Sequence, residues 1–93
     1  MRPLKINYLR MKYMVAELLF TVREVSYENG MICLLMSDQK EIRFPVSVNT
    51  KLKNATEQQR KNIEIICGGT GLHWPDLDED LSVTGIIEGK FGY

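Results

Sequence analysis

The sequence predicts an α+β fold: a three-stranded antiparallel meander packed against a helix, then a short extended segment and a final short helix. Three features carry this expectation. Residues 18–48 are crowded with β-branched and aromatic side chains, and an Asn29-Gly30 pair stands between two strand-like runs. Capping signals open a helix near residues 54–59, and Gly68-Gly69 closes it. Pro75 then holds Trp74 in extended backbone, because a residue before proline is pushed out of the helical region.

The elements follow in order. In "LLFTVREVSYE" (18–28), Phe20 and Val22 share one phase and Val25 and Tyr27 the other, so a bulge is expected near Arg23-Glu24. Asn29-Gly30 is a type I′ turn signal, since both residues accept positive φ. "MICLLMS" (31–37) is apolar in both phases, as in a central strand covered on both faces or paired in a dimer. "EIRFPVSV" (41–48) alternates strictly through Ile42, Phe44, Val46 and Val48; Pro45 lacks an N–H and marks an edge or an end. Asn54 with Glu57, or Thr56 with Gln59, then starts a helix that runs to Cys67 and buries Ala55, Gln59, Ile63, Ile66 and Cys67 on one face. Asp80 or Ser82 caps the last helix, "VTGIIEG", which stops at Gly89.

Ninety-three residues make one domain, assigned to 14–93. Residues 1–13 are expected to be a disordered or start-site extension, because Met11 and Met14 offer alternative starts. Net charge is zero but unevenly spread: Arg2, Lys5, Arg10 and Lys12 open the chain without an acid, and five acids face Lys90 alone from Asp76 onward. That distribution disfavours direct nucleic-acid binding, which needs clustered cations against phosphate. Cys33 and Cys67 sit in apolar runs without metal-like spacing, and two buried thiols fit a reducing cytoplasm. No apolar stretch approaches membrane-spanning length. Glu17 interrupts the early apolar patch and no small-residue cleavage site follows, so no signal peptide is expected.

Residues 48–87, "VNTKLKNATEQQRKNIEIICGGTGLHWPDLDEDLSVTGII", carry a recognisable pattern. Leu52, Ala55, Thr56, Gln59 and Arg60 fit "L-x-x-A-T-x-x-Q-R". His73, Trp74, Pro75, Asp78, Glu79, Asp80, Ser82, Val83 and Gly85 fit "H-W-P-x-x-D-E-D-I-S-V-x-G". The chain resembles the short bacterial proteins grouped as domain of unknown function 2442, from about Val22 to Gly89. One departure is Gln39, which stands where the family's second hairpin usually has glycine. The resemblance implies a small α+β domain of the bacterial cytosol. It also implies a gene setting beside a second small gene, like a toxin–antitoxin pair, and it brings no established reaction.

"GLHWPDLDED" (71–80) joins the only histidine and tryptophan to four carboxylates, and three readings compete for it. As a metal site, Asp76, Asp78 and Asp80 alternate like a calcium loop. The sixth position is Leu81 rather than glycine, however, and the twelfth is Ile87 rather than glutamate. A magnesium or manganese ion could instead take His73, Asp78 and Asp80, giving a metal-assisted hydrolase that uses His73 and the Asp76–Asp80 carboxylates. As catalysis, His73 could act as a base oriented by Asp78 or Asp80, but no nucleophile elbow or phosphate loop accompanies it. As a clasp, Trp74 anchors the core, Asp78, Glu79 and Asp80 satisfy the last helix's N-terminal amides, and Arg60 pairs with one carboxylate. On this view Trp74 and Asp80 face inward while Asp76 and Glu79 face outward.

The clasp and a partner surface can coexist, and together they set the expected function. That function is a small cytoplasmic interaction or regulatory module, the antitoxin-like partner of a co-encoded protein. The surface is expected around Arg60, His73, Trp74, Asp76, Asp78, Glu79 and Asp80, with no cofactor. A structural homodimer through strand edges is the remaining alternative.

Overall fold

The computed structural model describes residues 20–92. The expected extension over 1–13 lies outside the described residues. Strands β1 (Val22–Glu28), β2 (Met31–Met36) and β3 (Glu41–Pro45) form an antiparallel sheet in the order β1-β2-β3. The register shifts between Val22 and Glu24, where the phase switch predicts the bulge. Asn29 (φ 47°) and Gly30 (φ 79°) both adopt the left-handed conformation that a type I′ turn requires. Pro45 ends an edge strand, and Val46–Val48 coil into a 3-10 turn instead of continuing it.

Two short helices follow, α1 (Thr50–Lys53) and α2 (Glu57–Lys61). Thr56 and Gln59 form the reciprocal capping box at the start of α2. The predicted helix to Cys67 does not form. Beyond Asn62 the chain enters β4 (Glu64–Ile66), because Ile63, Ile65 and Ile66 are β-branched, stiff at χ1 and better suited to a pleated surface. The helical face expected of Ala55, Gln59, Ile63, Ile66 and Cys67 therefore does not exist. Gly68-Gly69 is a turn between strands: Cys67, Gly68 and Gly69 all have positive φ. Gly69 also lies so close to β1 that a Cβ would stand 3.0 Å from Thr21 Cβ and 3.1 Å from the Val22 carbonyl. Only glycine satisfies both demands.

A second antiparallel sheet, unforeseen in the sequence, has the order β4-β5-β6, with β5 (Gly71–Trp74) central and β6 (Glu79–Ser82) at the edge. Ser82 caps α3 (Val83–Ile87), accepting the Gly85 N–H at 3.0 Å. The α+β class holds, built on two small sheets sharing one core. Ile32, Leu34, Met36 and Phe44 of the first sheet join Leu72, Trp74 and Leu81 of the second, with Leu52, Val83 and Ile86 between them. Neither cysteine is buried: Cys33 is half-buried and Cys67 exposed.

Gln39, in the turn between β2 and β3, has φ 75°. A left-handed non-glycine residue costs about 1–2 kcal/mol, partly offset by the extra freedom glycine has when unfolded. Gln39→Gly is expected to stabilise the protein by about 0.5–1 kcal/mol. Urea unfolding checks this: the midpoint should rise with an unchanged slope.

Candidate functional site: the second sheet and its clasp

Strand alternation sorts the residues of "GLHWPDLDED". In β5, Leu72 and Trp74 point into the core and His73 points out. The register places His73 between Glu64 of β4 and Asp80 of β6, so these three side chains form one row across the outer face. Pro75–Asp78 is the β5–β6 connection. It is closed by the Leu77 N–H donating to the Trp74 carbonyl at 3.1 Å, and Asp78 takes φ 49°. Asp76 is exposed in this turn and accepts from Asn62 Nδ2 at 3.1 Å. The Asp78 backbone carbonyl accepts from Lys51 Nζ at 2.9 Å.

Two expectations about the acids are corrected here. Asp78, Glu79 and Asp80 do not cap the last helix, because residues 79–82 are a strand and Ser82 alone holds the cap. The inward and outward assignments are also exchanged: Asp80 is exposed, while Glu79, in phase with Leu81, turns toward the interior. There Glu79 Oε2 accepts from Asn49 Nδ2 at 2.7 Å. Asn49 is fully buried; its amide also donates to the Phe91 carbonyl at 2.7 Å, and its Oδ1 accepts the Leu52 N–H at 3.0 Å. One side chain thus caps α1, fixes β6 and pins the C-terminal tail. The tail packs Phe91 against Phe44, with centroids 5.0 Å apart. The sequence reading missed Asn49, although an asparagine directly before "TKLK" is an ordinary N-cap signal.

Trp74 is the core anchor the sequence predicts, with no exposed surface and its Nε1–H donating to the Arg60 carbonyl at 3.2 Å. Arg60 is a clasp, but to different partners than expected. Its Nε donates to the Leu52 carbonyl (2.8 Å), Nη2 to the Lys53 carbonyl (2.8 Å) and Nη1 to the Tyr27 hydroxyl (3.0 Å). Tyr27 in turn donates to Glu57 Oε1 at 2.8 Å. The guanidinium therefore ends α1 and ties it to β1, leaving the carboxylates of 76–80 to other contacts.

His73 Nδ1 bonds Asp80 Oδ1. This hydrogen bond is the main cause of a His73 pKa raised above the usual 6.5; burial works against it, and the charges of Asp80, Glu64 and Asp78 add to it. Among the described residues, no three His, Cys, Asp or Glu side chains converge as a metal-binding group. His73 and Asp80 pair, whereas Asp78 engages Lys51 from the turn through its backbone. What the row can do chemically is present charge, and the His73 proton is available for exchange with solvent.

A small two-sheet α+β module with an acid-rich outer row is the class of protein these features define. The family model "Protein of unknown function (DUF2442)" matches residues 22–92, and the chain belongs to this family. A protein of unknown function from Rhodospirillum rubrum, solved by crystallography, is similar at 29% identity and TM-score 0.73, over 78% of this chain and 90% of its own. An uncharacterised protein from Chromobacterium violaceum, solved by NMR, matches at 29% identity and TM-score 0.73, over 100% of this chain and 86% of its own. No curated protein matches the chain. Among the described residues, no helix is long and apolar enough to cross a membrane.

Two predictions follow from this geometry. Arg60→Lys keeps the charge but loses the planar fork, and is expected to cost about 2 kcal/mol in urea unfolding, since a bond to a charged group contributes about 1.5–3 kcal/mol. The raised His73 pKa means that its stabilisation is fully present below the usual value of 6.5 and is lost as pH rises through the folded value. The urea midpoint should therefore fall as pH rises above 6.5, and Asp80→Asn should shrink that fall, because the Asp80 hydrogen bond is its largest cause.

Proposed function

We propose that this protein is a small cytoplasmic interaction module that binds a basic protein partner, with the product of a co-encoded neighbouring gene as the first candidate. One observation carries the reading. Glu64, Asp76, Asp78 and Asp80 are all exposed on the outer side of the second sheet and its turn, and none is used to cap a helix. Beneath them, Leu72, Trp74 and Leu81 are fixed in the core, so the charges stand on a rigid platform. Clustered like charge steers an oppositely charged partner and raises its association rate. An antitoxin-like role is consistent with this surface, because a nucleic-acid-binding toxin presents clustered cations of its own.

Purification with the neighbouring gene product tests the reading. Association is expected at micromolar concentration. The triple change Asp76→Asn, Asp78→Asn, Asp80→Asn should weaken it about tenfold at low salt, chiefly through slower association. Absence of binding at about 10 µM would overturn the proposal. Magnesium, manganese and calcium are expected to leave the melting temperature unchanged. A rise abolished by His73→Ala would instead establish a metal-binding site there, the first requirement of the metal-assisted hydrolase.

A further inference from the structure

The outer face of the first sheet breaks the rule that the solvated side of an antiparallel sheet is polar. β1 and β3 follow that rule, with Glu24, Ser26, Glu28, Glu41 and Arg43 exposed. β2 does not: Met31, Cys33 and Leu35 stand on this face, each half-buried. The common core does not account for them, because it packs on the other side through Ile32, Leu34 and Met36. Register sets Glu24 and Glu41 on either side of Leu35, Ser26 and Arg43 beside Cys33, and Glu28 and Pro45 beside Met31. A groove of about 180 Å³ lies along Cys33 and Leu35, between Glu24 on one bank and Glu41 and Arg43 on the other. The residues in register with the apolar row carry three carboxylates and one guanidinium, a net charge of −2. Among the described residues, no ion pair occupies any of these four groups.

Dimensions and charge together select the occupant of this face. The apolar row runs about 14 Å from Met31 to Leu35, and its side chains repeat about every 7 Å. Successive i, i+4 residues of a helix rise about 6 Å, so an apolar helical stripe keeps pace with the row. The two banks lie about 10 Å apart, two strand spacings, which is about the width of one helix. A second copy is a poor match. Three strands of this length offer about 250 Å², against about 800 Å² per partner in a stable complex. It would also set a net negative face against itself, and like charges across an interface are costly. A helix with cations flanking its apolar stripe matches both the floor and the banks.

We propose that the outer face of the first sheet is a docking site for a basic amphipathic helix of a partner protein. Its apolar side chains lie on Met31, Cys33 and Leu35, and its cations meet Glu24, Glu28 and Glu41. The site is separate from the acidic row of the second sheet and does not rest on it. The test titrates the isotope-labelled full chain with a synthetic helix of about 14 residues made of leucine and lysine, read by amide NMR. The peptide should shift the amide signals of β2 and of Glu24, Ser26, Glu41 and Arg43, with half-saturation near about 100 µM at low salt. A leucine–glutamate peptide of the same length should leave them in place. Glu24→Lys with Glu41→Lys should weaken binding about tenfold, and the isosteric pair Glu24→Gln with Glu41→Gln about threefold. The spectrum of each variant reports its fold directly. Raising salt from about 0.05 to 0.5 M should weaken wild-type binding in the same direction, since screening acts on the bank contacts. No shift at about 1 mM peptide, or equal shifts with both peptides, would overturn the proposal. So would shifts confined to residues 64–80, an outcome that leaves the second-sheet surface standing. Signals of β2 that move with protein concentration alone would assign the face to a second copy and overturn it as well.

Discussion

Everything in this small domain turns on one guanidinium. Arg60 projects from a helix of five residues, too short to be stable alone, and closes the end of another helix of four. Three of its N–H groups reach the Leu52 and Lys53 carbonyls and the Tyr27 hydroxyl. Its own carbonyl receives the Trp74 indole. The first sheet, the two-helix connection and the second sheet therefore meet at one residue. A planar fork with fixed donor directions can do this, whereas an ammonium on a flexible stem cannot. Asn49 performs the matching task on the opposite flank, joining α1, β6 and the tail through one fully buried side chain.

These two nodes free the acidic segment. With Arg60 occupied by backbone and Tyr27, and with Ser82 capping the final helix, the exposed carboxylates are not needed to terminate structure. Strand alternation then divides them: Glu79 turns in to meet Asn49, and Asp80 turns out to hold His73. A sheet only three strands wide can thus be structural on one face and electrostatic on the other. The first sheet repeats the arrangement, with Ile32, Leu34 and Met36 inside and Met31, Cys33 and Leu35 outside. That is why a chain of this length has two outward faces of distinct chemistry.

Much of this was legible in particular residues. The bulge at Arg23-Glu24, the Asn29-Gly30 turn, the Thr56–Gln59 capping box and the buried Trp74 are local consequences of side-chain shape and backbone preference. The error over residues 62–67 has a physical source. A capping box announces where a helix starts but not how long it lasts, and "IEIIC" fits helical spacing although its isoleucines favour a strand. Once that run became a helix, "HWPDLDED" had no strand to pair with. Asp78, Glu79 and Asp80 then look like helix-capping carboxylates, and the period-2 pattern through Leu77, Glu79, Leu81 and Val83 is hidden. Both cysteines have apolar neighbours in sequence, which say nothing about the face each occupies.

The sequence by itself determined the class, the Asn29-Gly30 turn, the capping box that opens α2 and the membership that residues 22–92 share with their family. These depend on φ preferences, capping and alternation, which act over a few residues. Which carboxylate faces Asn49, which carbonyls receive Arg60, and which acids stand in a row beside His73 were decided only in the folded chain. The separations run from 7 residues for His73 and Asp80 and for Arg60 and Lys53 to 30 for Asn49 and Glu79 and 33 for Arg60 and Tyr27. Local preference does not choose among such partners. Strand register and the single core do, because a slip of one residue would turn every side chain of a strand to the opposite face.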